Sequence, residues 1–279
     1  LNMFRYIAAF FFFSFAVMGT AHGAFQWDFE PELNDQIKIK YSNWEGVRIG
    51  GDNNNIVPIP GAVGDELVGI VRVTSITNQN GDTLWSQLAK PDSDLLVGYF
   101  DSYTALPPII TPPDGVQDFT AGRMLIYDGS TGFNPNFALD DGGALGHGIG
   151  YDGGGPVWLS LVGVQGIVTG DASVTLHSTL TNTDPISGSG SGYMTIAGGS
   201  AAGWFTPDSM DPTGSTPGSQ DVLLASRFFG NEDFPADATL WPANSEDPIT
   251  GNYTPEPASF GIWALLFAGM GLLVRRRAR

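Results

Sequence analysis

The stretch ELVGIVRVTSITNQNGD, residues 66–82, decides the fold class. From Glu66 to Thr77 it is long and rich in β-branched residues, which suits a pleated, buried surface. Leu67, Gly69, Val71 and Val73 fall on one face. Val68, Ile70 and Ile76 share the other with Arg72 and Thr74. A period of two predicts a strand with a fully apolar face and a mixed one. Asn78-Gln79-Asn80-Gly81-Asp82 follows at once, and Asn-Gly is a strong hairpin signal.

Working outward, the same grammar recurs. Gln36 to Tyr41 alternates Ile37, Ile39 and Tyr41 against Lys38 and Lys40. Further strands are expected at Leu95 to Phe100, Arg123 to Tyr127, Val157 to Val168, Ala172 to Leu180, Gly192 to Ala197 and Val222 to Phe229. In Ala172 to Leu180, His177 falls with Thr175 and Thr179, opposite Val174 and Leu176, and is expected to face outward or into a polar groove. Thirty-eight glycines and 19 prolines leave little room for long helices. The expectation is an all-β chain with a single β-sandwich or jelly-roll-like domain over residues 24–239, of eight to ten strands. Asp184 to Gly192 (DPISGSGSG) and Pro207 to Ser219 are expected to be flexible loops. Residues 240–254, LWPANSEDPITGNYT, read as an acidic, Pro-bearing stalk.

The two ends have a different character. Arg5 precedes an apolar run from Ile7 to Met18, and Ala21-His22-Gly23 offers small residues for cleavage before Ala24. Residues 1–23 therefore carry the physical features of a secretory signal peptide. At the other end stand Pro255-Glu256-Pro257, an uncharged apolar run from Ala258 to Val274, and Arg275, Arg276, Arg277 and Arg279. As a helix the run would be about 25 Å long at ~1.5 Å per residue, at the short end of a transmembrane span. The positive-inside rule keeps the arginines cytoplasmic and the body on the other side of the inner membrane.

A tail in these three parts, residues 255–279, resembles the PEP-CTERM sorting signal of Gram-negative bacteria. The resemblance implies export through the Sec translocon, transient anchoring in the inner membrane, and processing near Pro255, Glu256 and Pro257 by an exosortase, a membrane cysteine transpeptidase. It implies a destination at the outer surface or outside the cell, in strains that make extracellular polysaccharide. It covers about a tenth of the chain and assigns no activity to the body.

Charge and composition narrow the classes for that body. From Ala24 to Thr254, seven basic residues (Lys38, Lys40, Arg48, Arg72, Lys90, Arg123, Arg227) stand against 28 acidic ones. So negative a surface repels nucleic acid and anionic lipid. With no cysteine there is neither a disulfide framework nor a thiolate metal site. The two histidines after the signal, His147 and His177, belong to no nucleophile elbow or zinc helix motif. Hard oxygen ligands cluster in Gly51 to Asn55, Asn78 to Asp82, Asp92-Ser93-Asp94 and Asp140-Asp141, and such loops suit Ca²⁺. Each also reads as an ordinary Asx turn. Among the aromatics, Trp158 on an apolar strand is expected in the core. Trp204 and Trp241, beside Gly and Pro, are the candidates for a sugar-stacking surface. The chain is expected to be an exported envelope or extracellular-matrix protein, a non-enzymatic structural or polysaccharide-associated module. Two alternatives stay open: a secreted carbohydrate-active enzyme (glycoside hydrolase or lyase) with a carboxylate pair, and a calcium-dependent adhesin.

Overall fold

The computed structural model describes residues 27–28, 31–32, 35–52, 55–89, 95–110, 115–130, 155–183, 186–210, 220–231 and 241–253. The expected signal peptide at 1–23 and sorting tail at 255–279 lie outside them, as do Asp92, Asp94, Asp140, Asp141 and His147. Among the described residues there are eleven strands: β1 (Gln36–Arg48), β2 (Ile56–Val57), β3 (Glu66–Thr77), β4 (Thr83–Ser86), β5 (Leu95–Ala105), β6 (Gly115–Ser130), β7 (Val157–Gly163), β8 (Leu176–Thr183), β9 (Ile186–Gly198), β10 (Val222–Gly230) and β11 (Ala243–Asn252). The helical elements among them are two single turns, Gln87–Ala89 and Ala202–Trp204. The all-β expectation holds.

The strands form one antiparallel sheet, and its pairing closes on itself. Running β1–β3–β5–β6, it passes through a position shared by β7 and β8, then β9–β10–β11, and returns to β1. The shared position arises because β8 pairs with the first part of β6, at Gly115–Phe119, and β7 with its later part, at Arg123–Tyr127. Among the described residues, a ladder closed in this way leaves no long edge to recruit other chains.

Alternation places the core inside the ring. Ile37, Ile39 and Tyr41 point inward, as the sequence pattern requires, and are almost wholly buried with Val71, Val73, Trp85, Met124, Trp158 and Ile249. The mixed face of β3 is also covered. Val68 and Ile70 pack on the outside with Ile56, Tyr99 and Trp241. The Asn-Gly turn forms as read: Asn78 Oδ1 accepts the N–H groups of Asn80 and Asp82, and β3 pairs with β4 beyond it.

The long strands β5 and β6 bend together. Ser102 and Ala121 adopt positive φ, and Gly122 follows at 94°. A Cβ on Gly122 would sit 2.2 Å from the Tyr103 ring, so the bend needs glycine there. Carboxylates satisfy groups around the bend. Glu66 accepts the Ser102 N–H and the Arg48 guanidinium, while Asp101 accepts two bonds from Arg123, at 2.6 and 2.9 Å. The hydrogen bond to Asp101 holds the guanidinium further into its charged form.

Two sequence expectations need correction. Within the stalk expected over 240–254, Ala243–Asn252 is instead a strand: β11 lies between β1 and β10 and pairs with both. Its composition hid it, because Asn, Asp, Pro and Gly are poor strand formers that here are held by two neighbours. Nor is DPISGSGSG a loop from Ile186 onward. That segment opens β9, with Gly188, Gly190 and Gly192 inward and Ser189 and Ser191 exposed. A Cβ at Gly188 would lie 2.3 Å from the Thr179 carbonyl oxygen, so close approach of β8 explains a glycine there. Finally, Gln36 pairs with Asn252, so the two ends of the ring's sequence lie side by side.

Candidate functional site

The lumen of an eight-position ring is the first place to look for a ligand. Tyr41, Phe100, Tyr103, Phe119 and Leu224 line it, with Asn43 and Glu45 as polar members. Its cavity is about 70 Å³, room for roughly two waters at ~30 Å³ each and far below the ~300 Å³ of a small-molecule site. The lumen is a core.

A larger depression of about 510 Å³ lies on the outer surface of β1, β11 and β10. Two cross-strand rows build it. In the first, Trp44 pairs with Asn244, and Asn244 with Phe229. In the second, Ser42 pairs with Glu246, and Arg227 stands beside Glu246 in the register fixed by Phe228 and Ser245. All six side chains line the groove. The backbone of Asn43 and Ser245 runs beneath it, while their side chains turn into the lumen, where the Ser245 hydroxyl donates to Asn43 Oδ1 and Asn43 Nδ2 donates to Glu45 at 3.0 Å.

The backbone explains the depression. The β10–β11 ladder is paired at Leu224–Ile249 and at Phe228–Ser245, but not at the three positions between. Pro248, which has no N–H to give, falls in that gap. Strands without a ladder there need not stay at pairing distance, and the groove opens beside the gap.

Its outward side chains combine two aromatics, Trp44 and Phe229, with the polar Ser42, Asn244, Glu246 and Arg227. Phe229 is 49% exposed and stands at the groove. Arg227 sits 5.5 Å from the Phe229 ring centroid, a cation–π contact that presents guanidinium donors at the groove. Trp44 is half-buried, braced by the outer apolar cluster and paired with Ile70 of β3. Strands ~4.8 Å apart put the Trp44 and Phe229 Cα atoms about 10 Å from one another across β11. That span admits one flat, polyhydroxylated ring between two aromatic faces. Its C–H edges would meet the negative faces of the rings, and its hydroxyls would meet Asn244, Ser42, Glu246 and Arg227.

The tryptophans expected at such a surface are elsewhere. Trp204 is 7% exposed and packs inside, 4.8 Å from Trp27 and 5.7 Å from Trp158 between ring centroids. The turn at Ala202–Trp204 swings it inward. Trp241 is 2% exposed on the outer apolar cluster. Neither can stack on a sugar. Trp158 is fully buried, as its strand pattern predicts. The signal that finds Trp44 is in the sequence: it continues the outward Lys38, Lys40, Ser42 face of β1.

Of the calcium loops, Asn78 to Asp82 engages Asn78 Oδ1 and Asp82 Oδ2 in its own turn. Among the described residues no three acidic or histidine side chains gather. His177 faces outward and meets Asp118 at 2.6 Å from Nδ1, its directly paired neighbour on β6.

Compared with protein-family models, curated proteins and solved structures, the chain matches none.

Proposed function

We propose that the chain is an exported, exosortase-processed protein of the cell envelope or extracellular matrix. Its body, the closed antiparallel ring, binds polysaccharide without cleaving it. The observation that carries the binding half is the groove of Trp44, Asn244 and Phe229 with Ser42, Glu246 and Arg227. Aromatic walls beside the outward Asn244, Ser42, Glu246 and Arg227 suit a neutral sugar ring. Glu246 beside Arg227 in an acidic protein disfavours a polyanion. A hydrolase would need two carboxyl groups ~5–10 Å apart. Among the described side chains lining this groove, Glu246 is the single carboxylate.

The test is co-sedimentation of the chain with polysaccharide from its own host, beside Phe229→Ala. Phe229 is exposed, so its truncation leaves folding intact, and binding is expected to weaken about 3–10-fold for ~0.5–1.5 kcal/mol of lost aromatic contact. Unchanged binding refutes the groove. Release of soluble sugars by the wild-type chain would favour the enzyme instead. The export half rests on the signal-like N-terminus and the Pro255-Glu256-Pro257 tail. Mass analysis of the mature C-terminus, with and without the host's exosortase, tests it. A chain ending at Arg279 in both strains refutes processing.

A further inference from the structure

We infer that the sugar site does not end at the groove but continues across β9 to His177 on β8, forming a track that reads an extended chain of sugars. The inference rests on the polysaccharide reading above. Its basis is the register. Phe229 pairs with Ser187, Arg227 with Ser189 and Ala225 with Ser191. Ser189 pairs in turn with Thr179, and Ser191 with His177, whose other neighbour is Asp118. The outward side chains in the first half of β9 are thus three serines, short and hydroxylated, between the taller Arg227 and Phe229 on one side and His177 on the other. Ser189 and Ser191 are exposed and Ser187 half-buried.

Three features of this surface fit one occupant. It is polar but, beyond Arg227, carries charge only in the His177–Asp118 pair, so it offers a glycan hydrogen bonds without selecting an ion. Successive strands stand ~4.8 Å apart, close to the advance of one pyranose along an extended chain, so each strand crossed can serve one more sugar. The far end is fixed as well. Asp118 holds Nδ1 of His177 at 2.6 Å, which orients the ring and leaves Nε2 to meet a hydroxyl.

The test is titration of the full chain with gluco- and manno-oligosaccharides, each from monosaccharide to hexasaccharide. The track predicts that affinity climbs about two- to tenfold per sugar beyond the disaccharide, one hydrogen-bonded subsite at a time. It then levels off at tetra- or pentasaccharide. Ser189→Tyr, which raises a bulky ring on the floor, should leave disaccharide affinity unchanged and abolish the climb. His177→Ala should remove its last step alone. Affinity that stops rising at the disaccharide, or a climb untouched by Ser189→Tyr, overturns the track and spares the groove. Failure of the wild-type chain to bind any of the series or its host's polysaccharide overturns both.

Discussion

Tyr103 shows what a single buried hydroxyl does to the protein's pH range. Its phenol sits in the lumen, 2% exposed, with the Met194 sulfur at 3.7 Å as its partner. A thioether is a weak acceptor, and burial pushes the phenol well above its ordinary value of 10.0. Because the folded value is raised, stability is intact below pH 10 and falls as pH rises beyond it, when the unfolded chain ionises first. The slope is about 1.4 kcal/mol per pH unit for this one group. Tyr103→Phe is therefore expected to change stability little at pH 7 and to remove that slope between pH 10 and 11, read by urea melts at each pH. Equal slopes in both proteins would show the phenol to be solvated. At the same scale, the site was half legible. Trp44 could have been found as an aromatic on a lysine-bearing face, and Phe229 as one that shares a strand face with Arg227, although the apolar start Val222 to Ala225 hides the alternation.

Among the elements, β1 and β3 were readable because alternation and β-branching agree with their burial. β11 and the start of β9 were not, because each is held by its neighbours against its own propensity. Asn, Asp, Pro and Gly in β11 are tolerated since β1 pairs along its length while β10 pairs at both ends of the Pro248 gap. A sharp prediction follows from that placement. Ending the chain after Pro242 deletes β11, breaks the ring between β1 and β10, and exposes Ile37, Ile39, Val222 and Leu224 to water. Loss of a cooperative thermal transition is the expected outcome. A stalk in this place could be removed with the melting temperature unchanged, and that result would contradict the strand assignment.

For the whole molecule, a ring with both ends side by side gives the body a direction. Trp44 pairs with Asn244 eight residues along β1 from the Gln36–Asn252 pair, or about 26 Å at ~3.3 Å per residue. The groove is thus carried away from the point where the tail departs. In the proposed tethered state, polymer pulls on the groove at one end and the tail on Asn252 at the other. Force then runs along β11, at right angles to the hydrogen bonds that join it to β1 and β10. Those bonds are sheared together rather than unzipped one at a time, so the strand least recognisable in the sequence is the one placed to resist being drawn out.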